Sequence, residues 1–300
     1  MSKPNSPIPA PARKKTRLVT DEKIGPVRAE DVIIISLDGN IGAGKSTLLN
    51  AIRERLSDEV EIVQEPVDTW EALRNEKGES LLTLFYNDKK RWSYTFQNAA
   101  ILTRLDAIKN AVKSAKKRVL ISERSVLTDR FVFAEMLYDG GDINELEWQI
   151  YNNWFDTFAK ELPMRGVIHL TTGVETSADR IKIRGREGES SIPNEYLSAL
   201  DAQHHKWLSN TDLKVLHLST ENGVSVDDNV TKIREYLKEF TDKSDMMEEE
   251  SQEKESVDLK SDSLQKKGLS AHNAIVDKEN RVSNANSASP FTMNRKEISI

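Results

Sequence analysis

The segment Gly39-Asn40-Ile41-Gly42-Ala43-Gly44-Lys45-Ser46 fits the pattern G-x-x-x-x-G-K-[ST], and those residue types at that spacing bind phosphate. Glycines let the backbone curl until successive N–H groups converge on phosphate oxygens. Lys45 then neutralises the outer phosphates, and the Ser46 hydroxyl, followed by Thr47, suits a magnesium ion carried by a nucleotide. A second kind of chemistry is offered by Glu65 and by the consecutive pair Glu123 and Arg124. A carboxylate near a hydroxyl takes its proton, while an arginine keeps that carboxylate ionised and clamps a moving phosphoryl group. Taken alone, Glu65 reads more readily as a surface acid in a turn. A third group, Arg180, Lys182, Arg184 and Arg186, is either a lid over phosphates or a solvated helix face; Gly185 inside it is poor in a helix interior.

These groups meet only if the chain places them at neighbouring strand ends. Short β-branched or apolar runs at 32–37, 61–64, 119–122, 167–171 and 214–218 predict five strands, and most are separated by helical spacing, as at Leu48 to Leu56. That alternation predicts an α/β protein with a five-stranded parallel sheet flanked by helices. Glu65-Pro66-Val67 then follows the second strand and Glu123-Arg124-Ser125 the third, so their charges face the crevice at the strand C-termini. Long helices are expected over 81–112, broken near Trp92, and over 144–160. In the latter Trp148, Tyr151, Trp154 and Phe155 form a stripe belonging to the core or to a dimer surface. His204 and His205 fall on another helix and read as ordinary surface or packing residues.

The chain has 300 residues, a net charge of −6 and no cysteine. Disulfides and thiolate metal sites are excluded, and nothing in the charge steers the protein to nucleic acid. The apolar pattern is confined to residues 31–240, one domain. Residues 1–30, with the basic cluster Arg13, Lys14, Lys15 and Arg17, and residues 241–300, with Glu248 to Glu250 in a row, read as disordered segments. The basic cluster is a nuclear address, a poor mitochondrial one or an accident of a solvated tail. No apolar run is long enough to span a bilayer and no secretory signal is present, so the expectation is a soluble protein of the cytoplasm or nucleus, with mitochondria left open.

In order and spacing, Gly39 to Thr47, Glu65-Pro66-Val67 with Trp70, Arg91-Trp92-Ser93-Tyr94-Thr95-Phe96-Gln97 and Glu123-Arg124-Ser125 resemble the deoxynucleoside kinase family, nearest its deoxycytidine and deoxyguanosine kinase branch, over residues 32–240. The resemblance implies a P-loop kinase fold with an arginine-rich lid and transfer of the γ-phosphate of ATP to the 5′-hydroxyl of a deoxynucleoside, in nucleotide salvage. It implies that Glu65 is the base, assisted by Arg124, and that Gly39, Asn40, Gly42, Ala43, Gly44, Lys45, Ser46 and Thr47 cradle Mg-ATP beneath Arg180, Arg184 and Arg186. Ser46 and Glu123 would hold the magnesium, the latter through water. On the substrate side it implies Tyr86 and Glu189 at the sugar 3′-hydroxyl, with Ile41, Trp70, Phe96 and Phe133 around the base. Gln97 would lie at the base edge, and Arg104 with Asp129 would fill the space that a thymine methyl needs. Phe96 and Phe133 could equally be core. One departure is Gly188, where many relatives carry a second acid before Glu189. A homodimer through long helices is also implied. The rival enzyme, a nucleoside monophosphate kinase, needs an arginine where Glu65 stands. A non-catalytic relative, the accessory subunit of respiratory complex I, would be expected to have lost the phosphate loop or the base.

Overall fold

The computed structural model describes residues 27–159, 162–189 and 192–242; the basic cluster at Arg13 to Arg17 and the acidic run Glu248 to Glu250 lie outside them. Contacts divide the chain into a unit ending at Tyr236, whose fold follows, and a remainder starting at Leu237, of which residues 237–242 are helical. Among the described residues no helix is long and apolar enough to cross a membrane.

The five apolar runs form strands β1 (Ile33–Gly39), β2 (Val60–Val63), β3 (Val119–Glu123), β4 (Met164–Thr171) and β5 (Lys214–Ser219), all parallel, in the order β2-β3-β1-β4-β5. Every residue of β1 and β3 is buried, so alternation disappears and the run itself is the signal of a sheet covered on both faces. The strand β4 begins earlier than the apolar run at 167, because Met164 pairs with Ile34 before the register shifts at Ile35; Gly166 and exposed Arg165 hide that start. The chain fills one half of the sheet, then the other. The central strand β1 therefore lies where the crossovers reverse, and a crevice opens at the strand C-termini.

The α-helices before β5 are α1 (Lys45–Arg55), α2 (Val67–Ala72), α3 (Leu81–Asn87), α4 (Lys89–Ser114), α5 (Val126–Thr128), α6 (Glu135–Asp139), α7 (Glu145–Phe158), α8 (Val174–Arg184) and α9 (Asn194–Leu208), and residues 226–236 after it are helical as well. The break expected near Trp92 falls at Asp88, whose side chain accepts from the Arg91 N–H and starts α4. Asn144 and Glu147 form a capping box that starts α7. On one face of the sheet Ile34, Leu120 and Val63 join Phe85, Phe96, Ile108 and Tyr151 of α3, α4 and α7 in a single core. Val167 packs with Ile181, Leu197, Leu200 and Trp207 of α8 and α9. The stripe on α7 divides: Tyr151 is fully buried, Trp148 stacks on Tyr138 and Phe155 meets Phe131 edge-on, while Trp154 points outward with Leu146 and Ile150.

Candidate active site

The ends of β2, β3 and β5 and the loop after β1 contribute to one cavity of about 690 Å³, within the range of small-molecule sites. After β1 the chain enters the phosphate loop and then α1, whose first residue is Lys45. Gly42 has φ of +79°, and a β-carbon there would stand 2.4 Å from the Ser177 carbonyl oxygen, so only glycine lets the loop lie against the first turn of α8. Asn40 ties the loop to α9, donating from Nδ2 to Leu197 O at 2.8 Å while its Oδ1 accepts from the Ile41 N–H. Lys45 folds back and donates to Gly39 O and Asn40 O at 3.2 and 2.9 Å. Burial first, then the charge of Arg124, push the Lys45 ammonium down to about 7 against the pull of Glu123 and Glu65, a cost to the charged form that a neighbouring anion would offset. Ile41, Gly42, Gly44, Lys45, Ser46 and Thr47 line the cavity; Gly39, Asn40 and Ala43 shape the loop from behind.

Glu65 stands beyond β2 and Arg124 beyond β3. Arg124 donates from Nη1 to both Glu65 oxygens at 2.7 Å, and Arg104 of α4 donates from Nη2 to Glu65 Oε1 at 2.8 Å. Burial favours the neutral acid, but Arg124, Arg104 and Lys45 outweigh it and hold the carboxyl well below the usual carboxylate range. Arg124 has φ of +58°, the one non-glycine residue with positive φ among the described residues, and its N–H is fixed to Leu37 O at 3.0 Å. Backbone strain at such a position marks a side chain that must point one way. Its guanidinium lies 5.0 Å from the Phe133 ring centre.

Arg104 also donates from Nε to Asp129 Oδ2 at 2.8 Å and from Nη1 to Glu123 O at 2.7 Å, so every arm of its fork is engaged. Burial disfavours its charge, yet Asp129 and Glu65 together hold it firmly protonated. Asp129 opens a π-helical turn, Asp129–Ala134, between α5 and α6, and this turn brings both Asp129 and Phe133 to the cavity wall.

The remaining wall is aromatic. Trp70 meets Phe96 edge-on at 5.3 Å and donates from Nε1 to Thr103; Phe96 stacks on Phe85 at 4.6 Å, and Phe85 adjoins Tyr86. Phe96 serves the core and the cavity at once. Gln97 is buried with its Oε1 unpartnered, an acceptor left for something that enters. Opposite these, α8 ends at Arg184 with Gly185 as its left-handed cap, so the basic run is a helix end and the loop beyond it. Arg184 and Arg186 both donate to the buried Glu189 carboxylate, at 3.0 and 3.1 Å. Gly188 has φ of +82° and brings the loop against α3: a β-carbon there would be 3.2 Å from Thr83 Cα and 3.5 Å from the Tyr86 ring. Burial, reinforced by Glu189, keeps the Tyr86 phenol protonated. Arg180 has its Nη1 buried and unpartnered beside Gly44.

Sequence reasoning missed Phe85, Tyr196 and the loop after β5, where Thr220, Glu221, Asn222, Gly223 and Val224 line the cavity. No motif marks them. His204 is fully buried and bonds Leu200 O, His205 is exposed, and the described residues contain no cluster of three or more His, Asp or Glu placed to hold a metal by themselves. The oxygen donors Ser46 and Glu123 both line the cavity, a hard pair suited to a magnesium ion that takes its other ligands from phosphates and water.

A parallel sheet with a phosphate loop after its central strand, a carboxylate gripped by two arginines and a basic helix end above them define a nucleotide-binding kinase fold. Comparison with known proteins gives the branch. Residues 35–257 match the family model described as "Deoxynucleoside kinase". The chain is 40% identical over 200 residues to the deoxycytidine kinase of Homo sapiens, covering 60% of this chain and 76% of that protein. Identity to a probable deoxycytidine kinase of fowlpox virus is 38% over 178 residues, 58% and 71% of the two chains, and to the mitochondrial deoxyguanosine kinase of Xenopus laevis 32% over 206 residues, 63% and 76%. The chain belongs to the deoxynucleoside kinase family.

Proposed function

We propose that the chain transfers the γ-phosphate of ATP to the 5′-hydroxyl of a deoxynucleoside, with deoxycytidine or a purine deoxynucleoside favoured over thymidine. The observation that carries this reading is the Glu65 carboxylate, held ionised between Arg124 and Arg104 in the cavity that the phosphate loop also lines.

On this reading the deoxynucleoside lies among Ile41, Trp70, Phe96 and Phe133, with the Gln97 amide at the base edge and Tyr86 and Glu189 at the 3′-hydroxyl. Glu65 accepts the 5′-hydroxyl proton, and Arg124 keeps the base ionised until then and steadies the phosphoryl group as it passes. Lys45 and the phosphate-loop N–H groups hold the donor phosphates, and Arg180, Arg184 and Arg186 spread the charge that develops on them. For Arg184 and Arg186 this requires loosening their present hold on Glu189. Ser46 and Glu123 would hold magnesium, which when bound shields the phosphate charge and fixes the donor's orientation. The loop at 220–224 reaches the same cavity and would close its donor end. The Arg104–Asp129 pair is buried and hydrogen-bonded, so it does not yield space to a thymine methyl.

The domain is read as 31–240 and the assembly as a homodimer through α4 and α7, which expose Leu102, Leu146, Ile150 and Trp154. The compartment is read as cytoplasm or nucleus. The functional test is transfer from Mg-ATP to each of the four deoxynucleosides. Transfer to deoxycytidine or a purine, weak with thymidine, and a fall in kcat of about 10²–10⁴-fold in Glu65→Gln are expected. Efficient thymidine turnover would overturn the preference, and an active Glu65→Gln enzyme would overturn the base.

A further inference from the structure

Helix α8 carries Arg180 and Arg184 towards the phosphate loop, and its opposite end is fastened by a residue from another part of the fold. Gly173 precedes the helix and offers no side chain to cap it. Glu221, just past β5, takes that role from across the cavity rim. Its carboxylate accepts from the Gly173 N–H, from Thr172 Oγ1 at 3.0 Å and from Thr176 Oγ1 at 3.2 Å. A negative charge at this end is favoured by the helix dipole and satisfies an N–H that would otherwise lack a partner. The Gly173 N–H and the Thr172 hydroxyl hold the Glu221 carboxyl below the ordinary value.

The neighbouring Thr220 is tied in two directions. Its Oγ1 donates to Ala43 O of the phosphate loop at 2.7 Å, and its carbonyl accepts from Arg180 Nη2 at 2.7 Å. The first turn of α8 also rests directly on Gly42. Thr220 and Glu221 therefore join the phosphate loop, the first turn of α8 and an arginine whose other amine is buried and unpartnered.

We propose that Glu221 is a positioning residue for phosphoryl transfer: from the loop after β5 it fixes the first turn of α8 against the phosphate loop and so sets where Arg180 meets the donor phosphates. The proposal rests on the donor-site reading above. Glu221 acts through α8 and Arg180 and not on the reacting atoms.

The test uses the full chain with E221A, E221Q, R180M and the double variant E221A/R180M, measuring kcat, the KM for Mg-ATP, the KM for the deoxynucleoside and amide exchange over residues 173–177. Glu221 is only half-buried, so folding is not at stake. Loss of a charged cap in E221A is expected to raise the KM for Mg-ATP about tenfold and leave that for the deoxynucleoside within about twofold. E221Q, which keeps an acceptor, should recover most of the loss, and exchange over 173–177 should quicken in E221A. In the R180M background E221A should add less than about twofold, because the route runs through Arg180. An unchanged KM for Mg-ATP in E221A, or full additivity with R180M, overturns the proposal. A wild-type protein that transfers no phosphate to any deoxynucleoside sinks the functional reading instead, and unchanged exchange in E221A would then still overturn the anchor.

Discussion

Position 188 shows how one absent side chain shapes the substrate wall. With φ of +82° and α3 so close, any L-residue there would be strained as well as crowded. Gly188→Ala should cost about 1–2 kcal/mol locally, displacing Glu189 from Tyr86. A rise of roughly five- to thirty-fold in the KM for the deoxynucleoside, with a smaller change for Mg-ATP, is the expected kinetic result. An unchanged KM would show that the loop yields without cost. The sequence displays Gly188 only as a departure from a resemblance, because neither the backbone angle nor the approach of Thr83 is written in residue type. That Glu65, Lys45 and Arg124 would share one crevice was legible from their places after successive strands, although Glu65 taken alone read as a surface acid. Tyr196 and Glu221 were not: each reaches the site only because its strand or helix is laid beside another.

Elements were legible where burial dictates composition. The apolar runs of β1 and β3 can be little else, whereas the π-helical turn at Asp129–Ala134 left no trace in spacing, and the start of α4 was set by the Asp88 cap and not by the aromatic pattern. The packing of α9 on β4 and β5 gathers four of the chain's five histidines. His169 Nδ1 lies 3.3 Å from His217 Nδ1, its ring stacks on His204 at 5.5 Å, and it meets His205 edge-on at 5.8 Å. One of the facing Nδ1 atoms must donate and the other accept. Burial, with His217 and His205 alongside, pushes His169 down to about 3 from an ordinary 6.5. Between those values the unfolded chain binds the proton that the folded one refuses. Stability should therefore fall as pH drops from 6.5 towards 3, at up to about 1.4 kcal/mol per pH unit for this group. Thermal denaturation across that range, beside His169→Asn, checks it: the variant should show a shallower slope, and an identical slope would assign the acid sensitivity elsewhere.

At the scale of the whole molecule, the outward residues of α7, Leu146, Ile150 and Trp154, are 70%, 47% and 41% exposed, a row of apolar side chains that a monomer would leave in water. If a second copy covers it, as proposed, Ile150→Lys should convert the dimer to a monomer in sedimentation equilibrium while the circular dichroism spectrum is kept; a dimer that persists would place the contact elsewhere. The parallel sheet and its crevice were legible from the alternation of runs, but the outward stripe was not separable from the inward one, because both share helical spacing. Arg104 carries the last consequence. One guanidinium holds Glu65, the proposed base, and Asp129, the proposed discriminator. Turnover and choice of substrate are then not independent traits in this lineage: a change that admits a new nucleobase by loosening Asp129 also re-aims the group that takes the proton. Broadened substrate range and undiminished rate would have to be regained by compensating substitutions around a single arginine.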